Sequence, residues 1–209
     1  MRQLVQLVAL LSLSVAPSHA GEVPAGEGRL YLGGQGGMFL PIESSVSGGG
    51  LSGKLSYHPG LVLAAVAGYE AGKGIRGEAE LNFRKLTTDR LTTGATVVAV
   101  DSDIWTCGFM TNVYYDFRNR SAVTPYLGGG VGLIVAEFGR GTSNGTTLWP
   151  ADRDLSIAYQ GMAGFALQID RQSSLDFVYH HYAVPSLHFD TLAAKFRGIN
   201  LSAGLRHRF

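Results

Sequence analysis

The chain has 209 residues, with 17 Lys or Arg against 16 Asp or Glu, and this balance excludes the broad positive surface of a nucleic-acid-binding protein. It contains one cysteine, Cys107, which excludes stabilisation by an internal disulfide. Its 29 glycines, its 45% share of hydrophobic residues and the lack of an amphipathic helical pattern argue against an α/β enzyme.

The first segment of the chain has the pattern of a secretory signal peptide. A positively charged residue, Arg2, precedes an apolar run, and Ser18-His19-Ala20 is a small-x-small cleavage site. The apolar run is too short for a spanning helix, which needs about 20 residues. We therefore expect residues 1–20 to be removed between Ala20 and Gly21, with export of the rest and residues 21–28 as a short periplasmic tail.

Beyond the tail, apolar and polar side chains alternate in eight segments. Successive strand residues point to opposite faces, so this pattern predicts strands with one apolar and one polar surface. The pattern is sharpest from Ile75 to Arg84 and in the closing strand, where Leu201, Leu205 and Phe209 share the apolar face. The predicted strands are 29–40, 61–69, 75–84, 104–117, 123–136, 155–169, 174–182 and 197–209.

The connections between these strands alternate in length. The long ones are 41–60, 85–103, 137–154 and 183–195, and the others are tight turns. Bacterial outer-membrane barrels have short periplasmic turns and longer extracellular loops. A soluble β-sandwich would show the same alternation, but a closed barrel pairs every backbone group, as lipid requires. We predict an all-β fold, an eight-stranded antiparallel up-and-down transmembrane β-barrel over residues 29–209, with both termini periplasmic.

Six short motifs follow one another along these strands. They are Tyr57-His58-Pro59-Gly60, Gly68-Tyr69, Ile75-Arg76-Gly77-Glu78-Ala79-Glu80, Asn112-Val113-Tyr114-Tyr115-Asp116-Phe117, Pro125-Tyr126-Leu127-Gly128-Gly129-Gly130-Val131-Gly132 and Gly204-Leu205-Arg206-His207-Arg208-Phe209. Taken together, these motifs make residues 29–209 resemble the opacity-protein family of outer-membrane barrels. That family includes surface antigens and shares its eight-stranded fold with outer membrane protein A. His58 and His207 depart from that family's usual aspartate and tyrosine.

The resemblance implies an integral protein of a Gram-negative outer membrane. It also implies delivery by the outer-membrane assembly machinery, which recognises a terminal strand that ends in phenylalanine, here Phe209.

The inner face of the predicted barrel carries many charges. An eight-stranded barrel is just wide enough for side chains to fill its interior, and buried charges must be paired. We therefore favour an internal ion-pair lattice over a polar conduit or binding site, with Arg206 and Arg208 pairing with the lumenal carboxylates. The predicted lumenal charge network comprises Arg76, Glu78, Glu80, Arg84, Asp176, Arg206 and Arg208, with His180 beside it.

Two other kinds of site are weaker hypotheses. His180 and His181 are adjacent on a strand and face opposite sides, so they cannot easily share a metal, and no spacing matches a zinc pattern. Ser186 and His188 lie where some barrels hold a lipid A-modifying site, but a hydroxyl nucleophile needs an oriented base within hydrogen-bond reach. We expect no catalytic residue, no metal and no cofactor.

Outward aromatic residues are expected at both membrane interfaces. Near the periplasmic turns these are Tyr69, Tyr115, Phe117 and Phe209, and at the other rim Trp105. They predict contact with outer-membrane lipids and lipopolysaccharide.

The leading functional hypothesis is a structural, surface-exposed outer-membrane protein. Loops 41–60 and 137–154 are rich in Gly, Ser and Thr and are the expected surfaces for adhesion or for contact with a host or other extracellular ligand. No nucleic-acid partner is expected. The alternatives are a lipid A-modifying enzyme and a narrow channel or small-ligand-binding barrel.

Overall fold

The computed structural model describes residues 28–42, 44–48, 51–143, 145–189 and 192–209. The predicted signal peptide, its cleavage site at Ala20 and Gly21, and the tail up to residue 27 lie outside these ranges. A search of the described residues finds no helix with the length and apolarity that crossing a membrane requires.

The described residues form strands joined into a closed wall. Thirteen strands are present in these ranges: β1 (Arg29–Ile42), β2 (Ser44–Gly48), β3 (Leu51–Tyr57), β4 (Gly60–Glu70), β5 (Ile75–Thr93), β6 (Thr96–Ala99), β7 (Asp103–Asp116), β8 (Val123–Phe138), β9 (Gly141–Ser143), β10 (Thr146–Trp149), β11 (Asp152–Gln168), β12 (Ser173–Phe189) and β13 (Leu192–Arg208).

Eight of these strands make the barrel, in the order β1-β4-β5-β7-β8-β11-β12-β13. Every neighbouring pair is antiparallel, and β13 returns to β1, with Tyr31 opposite Arg208 and Ile42 opposite Arg197. The closure leaves no free sheet edge within the wall, which is the condition for a sheet in lipid. The predicted all-β, eight-stranded antiparallel barrel is confirmed.

The two ends of the barrel differ. One end, which we call the turn end, carries the start of β1, the end of β13 and the short connections 71–74, 117–122 and 169–172. Gly72, Lys73 and Gly74 of the first turn have φ values of 81°, 49° and 85°, a left-handed region that glycine enters without strain. The opposite end, the hairpin end, carries the long connections.

The predicted long connections lie at the hairpin end, and the structure shows short strands within them. The β2–β3 hairpin pairs with β13 on one side and β5 on the other, so it extends the wall above β1 and β4. β6 folds back on β5, and β9 pairs with β10. These additional strands form because β5, β12 and β13 continue beyond the predicted strands 75–84, 174–182 and 197–209, and their backbone groups need strand partners.

The outer surface of the barrel is apolar over the height of a membrane core. On β5 the outward residues run from Ile75 to Phe83, which at about 3.3 Å per residue and a tilt near 40° gives a band roughly 20 Å tall. Other strongly exposed members of the band are Leu30, Leu61, Leu63, Phe109, Val113, Leu127, Val131, Leu133, Leu201 and Leu205. Such a surface on a soluble monomer would be a large exposed apolar patch, so it indicates contact with lipid.

Glycines on the inner face make room for large side chains on neighbouring strands. A Cβ atom added at Gly68 would overlap the Tyr31 ring, and one added at Gly198 would overlap the Phe39 ring. A Cβ atom added at Gly128 would overlap the Tyr114 ring. The glycine-rich run in β8 is therefore a packing feature of a strand, because no helix follows it to form a phosphate-binding loop.

Replacing Gly68 with alanine is expected to lower the free energy of unfolding by about 1–3 kcal/mol, since the methyl group must displace the buried Tyr31 ring. Gly77→Ala is the matched control, because a Cβ there meets nothing within 4 Å. Urea unfolding of the purified barrel in detergent, followed by tryptophan fluorescence, measures both. Equal losses in the two variants would contradict the packing role of Gly68.

Candidate functional site in the barrel lumen

Arg76 lies at the centre of a polar layer in the half of the lumen nearest the turn end. Its Nη2 lies 3.2 Å from Asp116 Oδ1, and its Nη1 lies 3.3 Å from Glu78 Oε2. Its guanidinium carbon lies 3.9 Å from the centroid of the Tyr114 ring. The arginine and both carboxylates are buried, so they form a desolvated ion-pair triad of the kind that is stable only when its members are all paired.

Hydrogen bonds satisfy the remaining oxygen atoms of Glu78. Tyr31 donates its hydroxyl hydrogen to Oε2 at 2.8 Å, and Tyr114 donates to Oε1 at 3.0 Å. The Asn112 amide donates to Oε1 at 3.2 Å. The carboxylate is thus held by one cation and three neutral donors, which compensates for its removal from water.

The next layer, at mid-height, is held by amides. Glu80 accepts hydrogen bonds from Asn82 and Asn112, each at 2.8 Å, and from Gln160 at 2.9 Å. Arg84 donates to the Asn82 carbonyl oxygen, so the Asn82 amide bridges this cation to Glu80. Within the described residues, Arg84 contacts no carboxylate directly, and its Nε and Nη2 atoms have no hydrogen-bond partner. Its guanidinium lies instead over the Tyr182 ring, at 3.9 Å.

Arg206 and Arg208 have different partners. Arg206 Nη2 lies 3.0 Å from Asp176 Oδ1, as the sequence led us to expect for one of these arginines. In the described residues, Arg208 forms no ion pair with Glu78, Glu80 or Asp176. Its Nε donates to Glu70 Oε1 at 2.7 Å, because Arg208 lies at the turn end, where β4 ends at Glu70. The expected pairing of Arg208 with Glu78, Glu80 or Asp176 is therefore wrong.

The half of the lumen nearest the hairpin end is filled with apolar side chains. The rings of Phe39 and Phe196 stack with centroids 5.2 Å apart, and Tyr182 meets Phe39 edge to face at 6.3 Å. This apolar plug, as we call it, also contains Leu55, Leu86, Leu91, Val100, Ile104, Met110, Ile134, Ala136, Phe138, Ala158, Val184 and Leu187, all buried. It has no counterpart in the sequence-based prediction, which treated the lumen as polar.

Several lumenal residues were not singled out from the sequence. Tyr31, Asn112, Tyr114, Asp116 and Gln160 all point inward and take part in the hydrogen bonds described above. The sequence carried a signal for Tyr114 and Asp116 of β7, because the predicted outward positions Tyr115 and Phe117 place these neighbours on the inner face.

The predicted interface aromatics lie on the outer surface. Tyr69, Tyr115, Phe117 and Phe209 are exposed at the turn end, and the rings of Tyr115 and Phe117 meet edge to face at 5.1 Å. Trp105 is half-buried towards the hairpin end, with its ring 5.2 Å from Phe83 and 4.6 Å from Lys85 Nζ.

The histidines are separated by the barrel wall. His180 is buried in the lumen and lies 3.3 Å from Gln160 Oε1, whereas His181 is exposed on the outer surface. Across the described ranges, no group of three His, Cys, Asp or Glu residues is arranged to hold a metal ion. The side chains of Ser186 and His188 lie outside the described part of the structure.

The polar layer contains a small cavity among the residues that the structure describes. A cavity beside Arg76, Asp176 and Arg206 measures about 20 Å³, which is room for about one water molecule. Polar side chains and the apolar plug therefore occupy the lumen at successive heights. Chemically, this arrangement holds Arg76, Glu78, Asp116, Asp176 and Arg206 in ion pairs and Glu80 by neutral donors, which is typical of a structural interior.

Residues 6–206 match the family model of the outer membrane protein beta-barrel domain. The chain belongs to this family. As a member of the outer-membrane β-barrel family, it is a transmembrane protein of the bacterial outer membrane, with the apolar band of its wall in lipid. Among curated proteins, no sequence matches it.

Solved outer-membrane barrels share the fold of this family member. The crystal structure of Neisserial surface protein A is 20% identical, with a TM-score of 0.53, and the match covers 86% of this chain and 97% of that one. The outer membrane protein OprG from Pseudomonas aeruginosa is 15% identical, with a TM-score of 0.63 and coverage of 88% and 97%. AlkL, solved in lipid bilayers, is 14% identical, with a TM-score of 0.50 and coverage of 93% and 96%. At these identities the likeness concerns the fold alone.

Proposed function

We propose that this outer-membrane barrel is a non-conducting, non-enzymatic scaffold whose hairpin end faces the cell exterior and contacts other molecules there. The observation that carries the proposal is the filled lumen. The apolar plug, built around Phe39, Tyr182 and Phe196, lies directly beyond the Arg84 layer. An ion would have to leave water to pass the plug, which costs many kcal/mol.

The hairpin end supports the surface role because its contact surface is built from strands. The β2–β3 hairpin is fixed on both sides by β13 and β5, and the β9–β10 hairpin is linked to the chain after β6 through the Asp101–Thr142 bridge. Backbone pairing limits the ordering entropy that a surface loses on binding. In this proposal the turn end, with both termini, faces the periplasm.

The first test is electrical. The purified barrel in planar lipid bilayers is expected to give no resolved single-channel steps, whereas an open porin measured in the same membrane does. Regular conductance steps that disappear when the protein is denatured would overturn the proposed closed interior.

The second test addresses the surface role. Replacing residues 140–150 with Gly-Ser-Gly removes β9 and β10 but keeps the β8–β11 pairing, which ends at Phe138 and Asp152. We expect cells with this variant to lose adhesion to cultured host cells while outer-membrane levels of the barrel stay unchanged. Arg120→Gln, at the turn end, is the control and should adhere like the parent. Unchanged adhesion in the hairpin variant, or a mass shift in lipid A that depends on the barrel, would contradict the proposal.

A further inference from the structure

A wide cavity opens at the turn end of the barrel. It measures about 1170 Å³, larger than most small-molecule pockets, and we call it the vestibule. Three carboxylates line it, from Glu70, Asp116 and Asp170. The cations that line it are Arg29, Lys73, Arg118, Arg171, Arg206 and Arg208. Because cations outnumber carboxylates two to one, the field inside this concave, low-dielectric mouth favours anions.

The three carboxylates are already occupied by other groups. Glu70 lies 2.7 Å from Arg208 Nε and 3.8 Å from Arg206 Nη1, and Asp116 pairs with Arg76 below the vestibule. The backbone N–H groups of Gln172 and Ser173 each donate to Asp170 Oδ1 at 2.7 Å and hold the pKa of that carboxyl below its usual range. Glu70 thus neutralises part of the positive charge of Arg206 and Arg208, and it also lies 4.0 Å from Arg118 Nη2. In the described residues, none of the three carboxylates forms an ion pair with Arg29, Lys73 or Arg171.

Three of the six vestibule cations lack an acidic partner in the described part of the chain. Among the described residues, Arg29, Lys73 and Arg171 form no ion pair, and all three are exposed. Arg206 is buried at the vestibule floor, where it pairs with Asp176 and Glu70, but its Nη1 atom donates no hydrogen bond in the same ranges. At the hairpin end, by contrast, Lys85 and Arg153 are paired with Asp103 and Glu137.

We propose that the vestibule is a binding site for a soluble polyanion that carries two or more phosphate or carboxylate groups. Its cations come from separate elements around the mouth: the start of β1, the turns after β4, β7 and β11, and the end of β13. A single monovalent anion contacts only part of this ring, whereas a polyanion bridges several cations at once. Arginine is suited to both groups, because its planar fork binds phosphate and carboxylate through paired hydrogen bonds.

An anionic phospholipid headgroup offers the same chemistry, but the geometry favours a solute. The vestibule lies inside the ring of strands, and the outward aromatics Tyr115, Phe117 and Phe209 lie on the other side of that wall. With the turn end in the periplasm, as proposed above, the ligand approaches from the periplasmic solution.

Calorimetric titration of the folded barrel in zwitterionic detergent tests this site in either membrane orientation. The probes are pyrophosphate and citrate as polyanions, acetate as a monovalent anion, and short-chain phosphatidylglycerol as a headgroup. The test variant is Lys73→Gln combined with Arg171→Gln. The control is Arg140→Gln, which removes an exposed arginine at the hairpin end that forms no ion pair in the described ranges. Circular dichroism verifies that each variant is folded.

We expect pyrophosphate or citrate to bind at one site per barrel, more tightly than acetate. Removing Lys73 and Arg171 is expected to weaken this binding about tenfold, because two exposed charges that the solvent partly screens are lost from the site. Arg140→Gln is expected to leave it unchanged. The proposal is overturned if neither polyanion binds, if Arg140→Gln weakens binding as much as the double variant, or if only phosphatidylglycerol binds.

Discussion

Replacing Arg76 with methionine is expected to lower the free energy of unfolding by about 3–5 kcal/mol. Arg76 is the only cation within 4.0 Å of Glu78 and of Asp116 in the described residues. Its loss leaves two buried carboxylates without a countercharge. Because the barrel holds them away from water, neither can recover its hydration without opening the wall.

The control for this prediction is Arg84→Met, a substitution of the same type one layer higher. Arg84 is equally buried, but it has no carboxylate partner in the described ranges, and two of its nitrogen atoms lack hydrogen bonds. Removing it deletes unsatisfied donors, and methionine can still pack against Tyr182. We expect a much smaller loss of stability than for Arg76→Met, or a gain.

Urea unfolding in detergent or lipid vesicles measures both variants. A similar loss of unfolding free energy in the two variants would contradict this prediction. It would show that the burial of an arginine, and not its pairing with carboxylates, decides the effect of the substitution. A double-mutant cycle of Arg76→Met with Glu78→Gln isolates the pair. We expect a coupling energy of about 0.5–3 kcal/mol, since these residues are in direct contact.

The strand pattern was predictable because it is local. Side chains alternate with period two, so the inward face of β5, from Arg76 to Arg84, follows from the sequence without knowledge of any partner. The closure of β13 on β1 follows from the even strand count and from the need to pair both edges. The structure agrees with these predictions.

The contacts across the lumen were not predictable in the same way. Which carboxylate meets Arg208 depends on the stagger of strands around the barrel, and this stagger places Arg208 opposite Tyr31 and within reach of Glu70. The apolar plug was missed because the polar-inside rule was applied to the whole lumen. Inward Leu86 and Ile104, which lie beyond the outward band that ends at Phe83, join Met110 and Ile134 in an ordinary hydrophobic core.

The strands of the β2–β3 hairpin show a third limit of prediction from the sequence. Ser44–Gly48 and Leu51–Tyr57 are rich in Gly and Ser and have weak alternation, so their composition indicates a loop. They form strands because β13 and β5 offer unpaired backbone groups on both sides. Pairing with an existing edge outweighs a weak local preference.

Deleting Phe209 is expected to reduce insertion into the outer membrane several-fold while export changes little. The residue contributes little to the folded barrel. Its N–H donates to the Leu30 carbonyl oxygen at 3.0 Å, its ring meets His207 edge to face at 5.2 Å, and it is 64% exposed. Loss of these contacts costs about 1 kcal/mol, too little to unfold a domain stabilised by about 5–15 kcal/mol. A large loss of insertion would therefore reflect recognition during assembly.

Phe117→Ala is the control that separates the two predicted roles of Phe209, assembly signal and interface anchor. Phe117 is also an exposed aromatic at the turn end, so its removal weakens interface anchoring by a similar amount but leaves the chain end intact. The measurement compares heat-modifiable barrel in the outer-membrane fraction with the total exported protein. If Phe209 is the assembly signal, its deletion lowers that ratio and Phe117→Ala does not. If both variants lower it equally, Phe209 acts only as an anchor, because loss of either ring then has the same consequence for insertion.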